Sequence, residues 1–229
     1  MTDCVVFDFA NTLGALSPKR EEIVKSFLNS WGLPVPPFKN IYEAFLATDE
    51  ALPYSSLKIL NDCNKSEFYE RYNLLLFKFL GVPSSFPRKP DNFYNLFYSF
   101  YHSVRPHWTV SKESISLLRF LNESKIRVGI ASNFDSNLVS YLKKINVEKY
   151  IDFLVVSAII DKEKPGKDFY QYIIDKHGVN PDSTIYVGDS YSLDYEPSFN
   201  LGFKSVLYDP YDSFDDSIIT CKTLADIPL

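Results

Sequence analysis

Four short segments of the 229-residue chain carry side chains suited to phosphoryl chemistry. Asp8 stands in VVFDFANTLG, Ser132 and Asn133 in VGIASNFD, Lys164 in DKEKPGKDF, and Asp189 and Asp194 in YVGDSYSLD. A carboxylate can act as a nucleophile toward phosphorus and form a covalent intermediate. Asp8 and Asp189 are candidates to share Mg2+, a hard ion that takes oxygen ligands and usually keeps several waters. Such a cation neutralises carboxylate and phosphate charge, so that an anionic nucleophile can approach an anionic substrate. Ser132 precedes a predicted helix, so its hydroxyl and the N–H groups around it, with Asn133 beside them, suit phosphate oxygens. Lys164 adds a compact positive charge. Taken singly, Asp8 is as readily a turn carboxylate and Ser132-Asn133 a helix cap. It is their joint order that points to chemistry.

These side chains need a scaffold that brings distant segments together. Cys4 to Phe7 is a short β-branched and aromatic run, followed by turn chemistry at Asn11, Thr12 and Gly14. Residues 17–103 read as helices. Ser17-Pro18 is expected to open the first, and Ile23, Phe27, Leu28 and Trp31 fall at helical spacing. Three prolines between Leu33 and Phe38 mark a connection, and helical patterns follow over 41–48, 66–80 and 91–104. Beyond Trp108 the rhythm changes. Helices over 111–122, 135–145 and 167–177 alternate with strands over 127–131, 153–156, 184–187 and 204–207. Alternation of this kind implies an α/β fold, a doubly wound parallel sheet with helices on both faces. Each chemistry-bearing segment sits at or just past the C-terminal end of a predicted strand, where open α/β sheets place their ligands. The expected division is an α/β core of residues 1–14 and 110–229, with a helical domain of residues 15–109 inserted after the first strand. The tail after Asp209, with Asp212, Asp215 and Asp216, reads as a solvated closing segment.

Composition narrows the function classes. The chain is 45% hydrophobic and 16% aromatic, ample apolar surface for a packed core. A net charge of −5 argues against a broad nucleic-acid surface. Cys4, Cys63 and Cys221 have neither zinc spacing nor a disulfide framework, and Cys4 should pack as a small apolar residue. No stretch approaches membrane-spanning length, and the first strand begins almost at once, so a cytoplasmic location is expected.

The four segments, in this order, resemble the motifs of the haloacid-dehalogenase (HAD) hydrolase superfamily, and the likeness spans residues 4–202. The resemblance implies a Rossmann-like core with a helical cap domain, a Mg2+ cofactor and a small phosphorylated metabolite as substrate. Residue by residue, it makes Asp8 the nucleophile and a metal ligand, and Ser132 the phosphate-binding hydroxyl. Lys164 becomes the lysine that steadies both nucleophile and phosphate, and Asp189 and Asp194 the acidic metal partners. One departure stands out. Most family phosphatases read D-x-D-x-T, and here the second Asp, which protonates the leaving group and later activates water, is Ala10. Ala10 still offers a backbone carbonyl to the metal. The lost acid–base carboxylate is worth about 10²–10⁴-fold, roughly 3–5 kcal/mol of barrier.

The expectation is therefore a slow or selective phosphatase, with a non-catalytic phosphate- and metal-binding regulator as the alternative. Phosphonoacetaldehyde hydrolases also carry Ala at this position, with a cap lysine for which Lys39 and Lys58 are available. Haloacid dehalogenases share the Asp nucleophile without needing a metal. Arg105, Trp108 and Tyr54 are candidates to close over a substrate.

Overall fold

In the computed structural model, which describes residues 2–52 and 62–229 and only the backbone of 62–66, Cys4–Phe7 forms strand β1. All four of its residues are buried, as expected of a central strand covered on both faces. Strand β2 (Gly14–Ser17) follows the turn, and four helices come next: α1 (Arg20–Ser30), α2 (Phe38–Ala51), α3 (Asp62–Phe79) and α4 (Phe93–Ser103). The remaining elements are β3 (His107–Val110), α5 (Lys112–Glu123), β4 (Arg127–Ser132), α6 (Asn137–Lys144), β5 (Phe153–Val156), α7 (Ser157–Ile160), α8 (Lys167–His177), β6 (Thr184–Gly188), α9 (Glu196–Phe199), β7 (Lys204–Tyr208) and β8 (Thr220–Cys221).

Six strands make a parallel sheet in the order β5-β4-β1-β6-β7-β8, the doubly wound architecture expected from the sequence. Alternation along β1 divides its side chains between two cores. Val5 and Phe7 join Leu118 and Leu121 of α5 and Leu138 and Leu142 of α6, whereas Cys4 and Val6 join Phe169, Tyr170 and Ile173 of α8. Burial pushes the thiols of Cys4 and Cys221 up to about 12, so both are neutral, apolar fillers.

The chain divides into two compact units: residues 1–15 with 108–229, and residues 16–107. The first is the α/β unit. The second is helical, with one core to which α1 to α4 all contribute. Phe27 is its hub, its ring 5.1–6.3 Å from those of Trp31, Phe77, Phe93, Phe97 and Phe100. Tilted and edge-on aromatic pairs of this kind add to burial. Among the described residues no helix is long and apolar enough to cross a membrane.

Two local expectations fail. The first helix opens at Arg20 because residues 14–17 pair as β2 with β3, so Pro18 lies in the connection rather than in a first helical turn. The tail is not wholly solvated. It adds β8 to the sheet edge and buries Cys221, Leu224 and Ile227 against the core, and Asp209 is buried while its carboxylate accepts from the N–H groups of Ser213 and Phe214. Its acidic composition drew attention away from apolar residues spaced three apart.

Replacing Phe27 by Ala should cost about 3–5 kcal/mol in the helical unit, the range for a large buried aromatic. Denaturant unfolding followed by the fluorescence of Trp31, in a Trp108→Phe background, would measure it. A change under about 1 kcal/mol would mean that Phe27 is not the centre of that core.

Candidate active site

β1, β4 and β6 lie side by side, so their C-terminal ends deliver their next residues to one edge of the sheet. Asp8 follows β1, Ser132 ends β4 and Asp189 follows β6. The N–H of Asp8 donates to the Val187 carbonyl at 2.8 Å, carrying the pairing of β1 with β6 one step past the last strand residue. The chain then folds back sharply, with the N–H groups of Leu13 and Gly14 donating to the carbonyls of Asp8 and Phe9.

Lys164 lies between two carboxylates. Its Nζ donates to Asp8 Oδ1 at 2.7 Å and to Asp194 Oδ1 at 2.6 Å. Asp8, Asp189 and Asp194 each present a carboxylate oxygen within 4.8 Å of the others, and all three residues are buried, as is Lys164. Burial alone would drive the Lys164 ammonium to lose its proton. The carboxylates of Asp194 and Asp8 outweigh that and hold it above the usual lysine range. Burial also pushes Asp194 up to about 6, against the opposing pull of Lys164 and with the Asp8 charge adding to the rise. Three carboxylates and the Lys164 ammonium thus share one buried cluster.

Several side chains fix these groups in place. Asn133 zips onto the backbone of Lys164: its Oδ1 accepts from the Lys164 N–H at 2.9 Å and its Nδ2 donates to the Lys164 carbonyl at 3.0 Å. The sequence had grouped Asn133 with the phosphate-holding residues. Its amide also anchors the lysine loop, using one of its two N–H donors to do so. Ser132 Oγ is buried and has no hydrogen-bond partner among the described residues. A native hydroxyl in that state invites a ligand atom.

Asp194 sits in a π-helical turn over Tyr191–Tyr195, a rare conformation concentrated at functional sites. Its Oδ2 accepts from the Ser190 N–H at 3.2 Å, and Ser190 Oγ accepts from the Leu193 N–H at 3.1 Å. Tyr170, a buried residue of α8, donates its hydroxyl to the Leu193 carbonyl. Burial holds that phenol far above its ordinary range, so it stays a proton donor. Gly188 completes the turn in an unexpected way. A Cβ there would lie 2.2 Å from the Asp194 carboxyl carbon, so the missing side chain makes room for Asp194 rather than for a ligand's approach. Thr12 Oγ1 donates to Asp189 Oδ1 at 3.3 Å, joining the first and last motifs directly.

The sequence brought forward Asp8, Ser132, Lys164, Asp189 and Asp194, and these positions share one unit of the fold. The roles of Thr12, Ser190 and Tyr170 went unread. Thr12 and Ser190 flank the acidic residues closely enough to have been considered, whereas nothing in the sequence ties Tyr170 to residue 193. Ala10 places no carboxylate beside Asp8. Trp108 packs among Phe9 and Phe134, with ring centroids 5.6 and 5.7 Å away, and Lys39 pairs with Glu43 on the surface of α2. Tyr54 and Lys58 lie outside the described residues.

An open parallel sheet with a lysine-bridged carboxylate cluster at the C-terminal ends of its strands defines an α/β protein whose charged site lies where such sheets bind their ligands. A family model described as haloacid dehalogenase-like hydrolase matches residues 5–208, and the chain belongs to that family. Among its relatives is haloacid dehalogenase-like hydrolase domain-containing protein 3 of Danio rerio, 30% identical over 122 residues, which are 53% of this chain and 48% of that protein. Rhythmically expressed gene 2 protein of Drosophila melanogaster is 29% identical over 107 residues, 44% of this chain and 41% of that protein. The chain thus matches rather less than half the length of these relatives. A similar fold is seen in the HAD-hydrolase YfnB of Bacillus subtilis, solved bound to magnesium. Its TM-score is 0.60 at 15% identity, covering 98% of this chain and 96% of that one.

Gly188→Ala should destabilise the protein by about 1–3 kcal/mol through overpacking against Asp194. In an Asp194→Gly background, where the clashing atoms are gone, the same substitution should cost far less. Equal penalties in a double-mutant cycle would show that the two residues do not compete for this space.

Proposed function

We propose that this protein is a Mg2+-dependent phosphohydrolase acting on a small phosphorylated metabolite, with Asp8 as nucleophile, and that Ala10 makes it slow and selective. The observation that carries this reading is the Lys164 ammonium bonded to both Asp8 and Asp194 within a buried group of three carboxylates. Buried carboxylates are costly unless their charge is balanced. The all-oxygen donor set suits Mg2+, with Asp8, Asp189, Asp194 and the Ala10 carbonyl as its proposed ligands. When bound, that ion would supply the charge neutralisation lacking between nucleophile and phosphate.

The chain's own groups then have distinct tasks. Asp8 presents a carboxylate oxygen to phosphorus. Lys164, fixed by its bond to that carboxylate and by Asn133 at its backbone, balances negative charge on the entering phosphate. Ser132 Oγ, otherwise without a partner, donates to a phosphate oxygen. Ala10 can neither protonate a leaving group nor take a proton from water. Leaving groups that depart readily as anions are therefore favoured.

One observation favours a second reading, that of a phosphate- and metal-binding regulator without turnover. The site is assembled in every charged part except the proton carrier at position 10. Dehalogenation ranks below both, because a metal-free mechanism has no evident use for three clustered carboxylates beyond the two that Lys164 bridges.

Purified protein with Mg2+ should hydrolyse an aryl phosphate, and Asp8→Asn or removal of Mg2+ by a chelator should abolish this. Hydrolysis undiminished in Asp8→Asn would refute the assignment of the nucleophile. Stabilisation by Mg2+ and inorganic phosphate, without hydrolysis across a broad ester panel, would establish the regulatory reading. Halide release from a 2-haloacid in the presence of chelator would establish dehalogenation.

A further inference from the structure

Hydrolysis through Asp8 consists of two transfers of one phosphoryl group, and Ala10 affects them unequally. In the first, an oxygen of Asp8 forms a bond to phosphorus while the bond from phosphorus to the leaving oxygen breaks, and the electron pair goes with that oxygen. An alcohol leaves poorly unless a proton reaches it. A carboxylate, the leaving group of an acyl phosphate, departs as a stable anion and needs no proton. For that class of donor, loss of the acid at position 10 is immaterial. In the second transfer, a water oxygen bonds to phosphorus, the bond from phosphorus to Asp8 breaks, and Asp8 regains its carboxylate. The attacking water must give up a proton, and here the missing base counts whichever donor loaded the protein. General acid–base catalysis is typically worth about 10²–10⁴-fold.

The ionisable groups around Asp8 are poor substitutes. Lys164 is a cation already donating to two carboxylates. Asp194 is engaged at both oxygens, by Lys164 and by the Ser190 N–H. Asp189 accepts from Thr12. Meanwhile the partners of a phosphoryl group on Asp8 are in place: the ammonium now 2.7 Å from Oδ1 and the unpartnered hydroxyl of Ser132.

Resting on the phosphohydrolase reading above, we infer that acyl phosphates load Asp8 faster than water unloads it, so that a phosphoaspartyl form of the protein accumulates. The substrate class is then the acyl phosphates, and the protein holds a phosphoryl group as well as releasing it. Alkyl phosphates, whose leaving groups need the absent acid, charge it poorly.

The test is to mix the wild-type protein with acetyl phosphate and Mg2+, quench in acid, and measure intact mass alongside acetate and phosphate release. The expected result is an acetate burst approaching one equivalent per chain, one added phosphoryl group removable by hydroxylamine, and phosphate release slower than the burst by a factor that restoring the carboxylate, worth about 10²–10⁴-fold, would largely remove. Glycerol phosphate should give no such burst. Asp8→Asn should give no hydroxylamine-sensitive adduct. Ala10→Asp should raise steady phosphate release and reduce the phosphorylated form to a minor fraction. Steady phosphate release from acetyl phosphate without a phosphorylated protein would overturn the inference and leave the phosphohydrolase reading standing. If neither adduct nor release were seen with any phosphate ester or anhydride, that reading itself would fall, and the inference with it.

Discussion

The buried ammonium of Lys164, bonded at once to Asp8 and Asp194, is the interaction on which the site is built. Three carboxylates removed from water and held within 4.8 Å would repel one another if left alone. Desolvating such charges is expensive, and breaking a buried pair by removing one partner typically costs about 3–5 kcal/mol because it strands the other. The sheet must therefore deliver the lysine and both acids to one point with little freedom. Parallel strands with adjacent C-terminal ends do this for Asp8, Ser132 and Asp189, since register alone sets their spacing.

Residues that do not end strands need other means. Lys164 belongs to a loop between α7 and α8, and it is positioned through its backbone, which Asn133 grips at both N–H and carbonyl. Asp194 belongs to a π-helical turn that closes back on Gly188, with Ser190 and Tyr170 fixing the residue before it. In both cases a polar side chain satisfies backbone groups that regular structure leaves unpaired, the requirement that applies to any buried loop. Precise placement of the charges thus rests on neutral neighbours.

That division explains what the sequence could and could not reveal. The strand and helix pattern of the α/β unit was legible because its periods are strong: Cys4–Phe7 is continuously apolar, and α5, α6 and α8 repeat apolar residues at helical spacing. Asp8 and Asp189 were legible because each directly follows a strand, and Lys164 and Asp194 because they stand in short motifs near Pro165 and Asp189. The neutral positioning residues were not, because a serine or tyrosine means nothing until the partner is known, and the partner of Tyr170 is 23 positions away. Asn133 was found, but its grip on the Lys164 backbone was not, since that partner lies 31 positions away. The acidic tail misled for a related reason: average polarity hid Cys221, Leu224 and Ile227, whose burial depends on the strand that residues 220–221 add to the sheet edge.

The departure at position 10 has meaning only against that assembled background. If Lys164 were absent, or if Asp194 pointed away, Ala10 would be one more missing part of a decayed site. Instead Lys164 bridges Asp8 and Asp194, and Gly188 leaves the space that the Asp194 carboxylate fills. A side chain there could not coexist with the present carboxylate, so the geometry still depends on keeping it bare. All of these residues belong to the α/β unit. Binding of an oxyanion and a cation asks for charge and geometry, whereas rapid turnover of an unactivated ester asks also for a proton carrier, a part that Ala10 cannot play. Those requirements are separable in physics, and this chain carries a buried, lysine-bridged acidic cluster together with a residue at position 10 that cannot transfer a proton.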